Sequence, residues 1–422
     1  MRLDAPPQGV EEALEVVTGI DEALTHGLAR SGGERLKALA GALATTPIGP
    51  RVAEATEKIA TGSVAEEHLM ALAGGRSALL GAVHDALLDQ LDTSLGRKRA
   101  PFVPGEGASK ANESCRSWLS ELAITGWRGV DHDLVSASSQ VVEGLLVEPA
   151  TRRLAVLLDG LAAELSASSP VAAMERLPAR RWADLWSRAL LLSQGGWPDA
   201  AGEEVSGRLL ILGVEVQEHG TAVQVQVHGV LEADGQNLLV RTSVAVAKVD
   251  TIVGLALWPL LSGYPLLLTA LAEQRAVEVK GLTLLSGGDL LWQEDKVTLK
   301  DPADPFVTAR VLLPEAVAPG VAPLERHPVR IAEPVLVEGK LSDHTIEGLT
   351  TAGPVTADLA AGATACVGLM RWDGGRWILQ PLAVQKGKKS PHNAELALSP
   401  KATKAGEAVT VLRERAGRLL RK

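Results

Sequence analysis

The run GVEVQEHGTAVQVQVHGVLEADGQNLLVRTSVAVA, residues 213–247, decides the fold. Val214 and Val216 alternate with Glu215 and Gln217, and Val223, Val225 and Val227 alternate with Gln224, Gln226 and His228. Side chains of period two point to opposite sides of a sheet, so this run predicts one buried face of valines and one wet face. Two interruptions, Glu218-His219-Gly220-Thr221 and Ala233-Asp234-Gly235-Gln236, each supply a glycine able to take the positive φ of a tight reversal. Val240, Thr242, Val244 and Val246 continue the alternation, which gives three strands in an antiparallel meander.

Outward from the meander, residues 252–272 carry no charge and match the roughly 20 apolar residues that cross a bilayer. Gly254, Pro259, Ser262, Gly263 and Pro265 break that run around Trp258-Pro259 and Tyr264-Pro265, and no Lys/Arg-rich flank adjoins it. The expectation is a broken helix packed on the dry face of the meander, not a membrane span. Further on, residues 276–285, 290–299, 306–313, 329–337 and 365–371 read as strands separated by Pro/Gly-rich loops such as Pro302-Ala303-Asp304-Pro305. Short strands with turn signals between them predict a sandwich or partly closed barrel. In Met370-Arg371-Trp372-Asp373-Gly374-Gly375-Arg376-Trp377-Ile378 an Asp-Gly-Gly turn is flanked by two tryptophans. Those tryptophans either close the hairpin on themselves or stand with Arg371 and Arg376 as a patch for a partner.

Toward the N-terminus the periodicity changes from two to helical. Leu14, Val17, Leu24 and Leu28 mark one helix, Leu36, Leu39 and Leu43 a second, and Leu79, Leu80, Val83, Leu87, Leu88 and Leu91 a longer one. Breaks are expected at Ser31-Gly32-Gly33, Pro47-Ile48-Gly49-Pro50 and Gly74-Gly75. No repeat of fixed period emerges. Residues 96–109, with Arg97-Lys98-Arg99 beside Pro101 and Pro104, read as an exposed linker whose basic cluster is solvated. A second helical packet follows, in which Trp182, Leu185, Trp186, Ala189 and Leu190 form one apolar stripe. Its tryptophans are expected to anchor the packet against the β half rather than to stack bases. The predicted class is therefore α+β and multidomain. It has helical subdomains at 1–95 and 110–195 joined by the linker 96–109, a mainly antiparallel β domain at 203–385 with an inserted broken helix, and a tail at 386–422.

Composition narrows the class further. A hydrophobic fraction of 46% and a charged fraction of 22% belong to a soluble globular chain. Nine of the twelve aromatics are Trp, so Ala, Leu and Val must fill most of the core, a bias that points to a bacterium with a GC-rich genome. Residues 1–9 lack the apolar core of a secretory signal, and two cysteines, Cys115 and Cys366, build neither a disulfide scaffold nor a zinc site. A reducing cytoplasm is the expected compartment. The net charge of −9 is uneven. Residues 386–422 hold ten Lys/Arg against three Glu, which leaves sixteen surplus negative charges on residues 1–385. Within the tail, Val409, Leu412, Ala416, Leu419 and Leu420 recur on one side of a helix carrying Arg413, Arg415, Arg418 and Arg421. Such a basic amphipathic helix suits a partner's acidic groove, an anionic lipid surface or nucleic acid.

No HExxH, GxSxG or GxxxxGK[ST] signature occurs. Cys115 lacks the glycine context of an exposed catalytic thiol, and Asp131-His132-Asp133 reads as a helix N-terminus rather than a metal site. Catalytic residues, cofactors and metals are thus not expected. The Arg180-Arg181-Trp182-Ala183-Asp184-Leu185-Trp186 helix, the helical first half and the Trp372/Trp377 hairpin give a layout that resembles uncharacterised bacterial proteins encoded with a MoxR-type AAA+ ATPase, a von Willebrand A-domain protein and a SWIM zinc-finger protein. The resemblance implies a non-catalytic adaptor or scaffold subunit working with the ATPase and the A-domain protein. Arg371, Trp372, Arg376, Trp377, Arg413, Arg415, Arg418 and Arg421 are its expected contacts. Two rivals stand beside it: a nucleic-acid-binding protein using the basic tail, and a hydrolase using Cys115 or Asp131-His132-Asp133. Membrane contact is not expected.

Overall fold

The computed structural model describes residues 5–28, 33–108, 111–219, 222–249, 251–339, 341, 344–349 and 355–386. Helices α1 (Val10–His26), α2 (Gly33–Ala42), α3 (Gly49–Ala60) and α4 (Glu66–Leu95) come first. Strand β1 (Pro104–Ala108) precedes helices α5 (Glu113–Thr125), α6 (His132–Ser136), α7 (Ser138–Leu146), α8 (Arg152–Ala167) and α9 (Ala179–Ser193). Strands β2 (Pro198–Ala200), β3 (Gly202–Glu218), β4 (Ala222–Ala233) and β5 (Gln236–Ala247) lead into helix α10 (Pro265–Glu273). Then follow β6 (Arg275–Leu285), β7 (Leu290–Leu291), β8 (Val297–Pro302), helix α11 (Pro305–Val311), β9 (Ala332–Glu338), helix α12 (Ala357–Ala361), β10 (Ala365–Asp373) and β11 (Arg376–Gln385). A helical half followed by antiparallel strands is the predicted α+β class. The described sheets are open, and none closes into a barrel.

Helix α4 spans both halves. The break expected at Gly74-Gly75 lies inside it, because packing overrides propensity there. A Cβ on Gly75 would stand 3.0 Å from both Leu43 Cδ1 and Val52 Cγ2, so the missing side chain lets α2 and α3 close onto α4. Leu69, Leu72, Leu79 and Leu80 of α4 join the helical core, while Val83, Leu87, Leu88 and Leu91 pack on Val335, Met370, Trp372 and Val384 of the C-terminal strands. One apolar core takes in residues from both helical packets, including Leu24, Trp118 and Leu158. Trp182 and Trp186 are buried in that same helical core rather than against the β half, with Trp182 edge-on to Trp127 at 5.9 Å. Arg97 and Arg99 are likewise not solvated. Arg97 Nη1 meets Glu333 at 3.1 Å, and Arg99 grips both oxygens of Asp92 at 2.7 and 2.9 Å. The end of α4 carries them onto β9, where a carboxylate waits.

The meander forms as read, with β5-β4-β3-β6 in order and both β7 and β8 on the far edge of β6, all antiparallel. Its valine face (Val223, Val225, Val227 and Val244) is covered by Leu257, Trp258 and Leu261 of a 3-10 segment and by Leu267 and Leu268 of α10. This is the broken helix expected at 252–272. No helix among the described residues is long and apolar enough to cross a membrane. Residues 306–313, expected as a strand, instead begin helix α11. Asp304 Oδ1 caps the Phe306 amide at 2.7 Å, and Pro305 presets the first helical φ. Residues 290–299 divide into β7, a 3-10 turn and the start of β8.

Strands β9, β10 and β11 form a second antiparallel sheet, in the order β11-β10-β9. It packs with α11 on the other face of the meander, where Leu212, Val230 and Leu239 meet Phe306, Val367 and Ala383. A Cβ on Gly213 would lie 2.5 Å from Leu382 Cβ, so only glycine allows β11 this close to β3. The face that alternation marks as wet is therefore covered at its centre, and Glu215 and His228 are buried there.

Candidate functional site

A groove of about 1330 Å³ runs along α4. Its floor is made of Ala71, Gly74, Ser77, Ala78, Gly81 and Ala82. Residues 71, 74, 78, 81 and 82 follow helical spacing, so one face of α4 presents small side chains while the opposite face carries the leucines of the core. Walls come from Ile48 and Arg51 at the start of α3, from Leu191 near the end of α9 with Trp197 beyond it, and from Pro323 and Leu324 of the turn Pro323–Glu325. Trp197 is held in place by its Nε1–H, which donates to the Leu191 carbonyl at 2.8 Å. Charges of both signs rim the opening. Arg116 pairs with Glu66, Arg326 pairs with Asp85 at 3.0 Å, and Arg51, Glu54 and Glu67 add to the rim.

The helix register that puts Ser77 and Ala78 in the groove points Arg76 inward, where its side chain is 1% exposed. Arg76 Nε donates to Asp21 Oδ1 at 2.8 Å, and Nη2 lies 2.6 Å from Asp184 Oδ1. Arg180 takes the second oxygen of Asp21, and His327 Nε2 lies 3.0 Å from Asp184 Oδ2. Burial opposes the charge on Arg76, but the carboxylates of Asp21 and Asp184 outweigh it and hold the guanidinium above its ordinary range. At Asp184 burial is outweighed by the adjacent His327 ring and the Arg76 charge, and the carboxyl is held below its usual value. At Asp21 burial prevails, and the carboxyl is pushed up. This network joins α1, α4, α9 and the loop around His327, so it fixes the groove walls against one another.

The hairpin residues proposed as contacts are largely enclosed. Trp372 and Trp377 face each other across β10 and β11, edge-on with centroids 5.2 Å apart, and Trp372 is buried. Arg371 reaches inward to Glu215 at 2.8 and 3.0 Å. Arg376 stays exposed and pairs with Glu347 at 2.6 Å. Arg413, Arg415, Arg418 and Arg421 lie outside the described residues. Cys115 is fully buried, and burial pushes its thiol up to about 12, the reverse of what a nucleophile needs. Asp131 is the N-cap of α6, accepting from the Leu134 amide at 2.9 Å, as its reading as a helix N-terminus anticipates. His132 and Asp133 point to solvent, and among the described residues no three His, Cys, Asp or Glu side chains gather as a metal site.

Sequence reading missed the groove. Its signal is the Gly/Ala/Ser spacing of residues 71–82, within which Gly74-Gly75 alone reads locally as a helix break. The lone Arg76 among leucines was a second clue, since a buried cation demands carboxylates around it. No protein-family model matches the chain, and no curated protein or solved structure does either.

Proposed function

We propose that the chain is a non-catalytic subunit of a bacterial cytoplasmic complex that receives an amphipathic helix of a protein partner in the α4 groove. The small-residue floor is the observation that carries this reading. Ala71, Gly74, Ala78 and Gly81 leave room for a second helix axis to approach to about 8 Å, the close end of helix packing. The volume also exceeds the roughly 300–1,000 Å³ of an ordinary small-molecule pocket. Charges of both signs on the rim suit a helix of mixed charge, whereas a phosphate backbone would meet Glu54, Glu66, Glu67 and Asp85. The elevated pKa of Cys115 and the divergent Asp131, His132 and Asp133 favour this reading over hydrolysis.

The resemblance to proteins encoded with a MoxR-type ATPase and an A-domain protein supplies the partner class to try. Ala78 is exposed on the groove floor, so Ala78→Trp fills the groove without entering the core. The expected result is a stoichiometric complex of the purified chain with the ATPase or the A-domain protein of the same organism, lost in the A78W variant while its Tm is unchanged. Undiminished binding by A78W sinks the groove reading, and no complex with either protein removes that partner class.

A further inference from the structure

Three guanidinium groups converge on the carboxylate of Glu325 from three separate elements. Arg188 of α9 places Nη2 3.0 Å from Oε1, Arg153 of α8 shares that oxygen, and Arg330 of the turn Pro328–Arg330 takes Oε2. Three cations on one carboxylate leave two positive charges uncompensated. Asp184, the other carboxylate that acts on Arg188 and Arg330, is already engaged by Arg76 at 2.6 Å and His327 at 3.0 Å. Burial, followed by the charges of neighbouring arginines, presses both Arg188 and Arg330 below the ordinary arginine range. Arg188 Nε is moreover buried without a hydrogen-bond partner among the described residues. A buried N–H with no acceptor is a standing cost, and an added anion removes it. The cluster is reachable from solvent, since the Arg153 and Arg330 side chains are 47% and 45% exposed.

We propose that Arg153, Arg188 and Arg330 form an anion site for a phosphate dianion, free or carried as a small monoester, which Glu325 occupies while no ligand is bound. Exchanging the single negative charge of Glu325 for the two of a dianion reduces the surplus on the three guanidiniums from two positive charges to one. Guanidinium forks set from three directions match tetrahedral oxygens better than the planar carboxylate that now fills the site. The site does not depend on the groove being a docking surface, because Leu324 and Arg326, not Glu325, line that groove.

Calorimetric titration of the full chain with inorganic phosphate and with O-phosphoserine, against chloride of matched ionic strength, tests the proposal. Glu325→Gln keeps all three arginines and removes the competing carboxylate. Saturable one-site binding is expected, about tenfold tighter in E325Q and about tenfold weaker in R330Q, the scale of one charge-assisted hydrogen bond. Tighter binding of phosphoserine than of phosphate assigns the site to esters, and equal binding assigns it to the free ion. Absence of saturable binding by E325Q overturns the proposal, and so does equal affinity in a folded R330Q. Should R330Q fail to fold, the comparison of E325Q with the parent chain decides alone.

Discussion

Arg371 on β10 sets Nη2 2.8 and 3.0 Å from the two carboxylate oxygens of Glu215 on β3, tying the C-terminal sheet to the meander. His228 Nε2 lies 3.7 Å from the same carboxylate. Burial works against ionisation of Glu215, but the adjacent His228 ring and the Arg371 charge outweigh it and hold the pKa at about 2, below the ordinary 4.5. The folded chain therefore binds fewer protons here than the unfolded chain between those two values. Glu215 contributes its full stabilisation above pH 4.5 and loses it as pH falls through 2. With the side chain only 8% exposed, the contribution is about 3 kcal/mol. Urea unfolding between pH 7 and pH 2.5 should show this loss, and Glu215→Gln should remove that part of the slope.

Arg76→Met should be among the most damaging single changes. It leaves Asp21 and Asp184 with a buried partner missing, an effect of about 3–5 kcal/mol for a broken interior ion pair. Adding Asp21→Asn should recover part of that loss, since Arg180 alone then needs no carboxylate at its exposed end. A double-mutant cycle in denaturant measures the coupling, and additive effects would show that the pair does not act as a unit.

Gly213→Ala tests the seating of β11 on β3. The added methyl would stand 2.5 Å from Leu382 Cβ, an atom close to the backbone that cannot swing aside. Overpacking of this kind costs about 1–3 kcal/mol. Thermal unfolding should register the loss, and shortening the opposing residue by Leu382→Ala in the same chain should not fully restore it, because the clash begins at Cβ.

Cys115 and Cys366 are both buried, and burial pushes both thiols up to about 12. Neither should react with a thiol reagent at pH 8 in the native chain, and both should react in denaturant. Rapid modification of one native thiol would mean that its region opens far more readily than its core packing implies.

Much of the fold was legible because its signals are local. The 213–247 alternation, the Asp-Gly turns and the prolines of 252–272 each act within a few residues, and each element formed where they placed it. Elsewhere the structure departs from the local signals. Gly74-Gly75 looked like a helix end, Arg97 and Arg99 looked solvated, and residues 306–313 looked like a strand. In the first two, the deciding partners lie far away in sequence, at Leu43 and Val52 and at Glu333. In the third, a local cap was overlooked, with Asp304 and Pro305 starting a helix before an apolar run that also satisfies strand periodicity.

The candidate site was less legible than the fold. A stripe of Ala, Gly and Ser on α4 defines a groove only once α3, α9 and the turn Pro323–Glu325 rise around it. Tryptophans 372 and 377, the most conspicuous pair in the sequence, turned their rings on each other instead.

The sequence by itself determined where strands alternate, where helices carry an apolar stripe and where turns reverse the chain, since these follow from side-chain periodicity and backbone sterics over short spans. The tertiary structure decided which faces meet. Glu215 and His228 sit on the side of the meander that alternation assigns to water. They are buried because Arg371, 156 residues beyond Glu215, arrives on the second sheet to balance the charge. Burial of charge depends on a partner supplied by another part of the chain, and local periodicity carries no record of it.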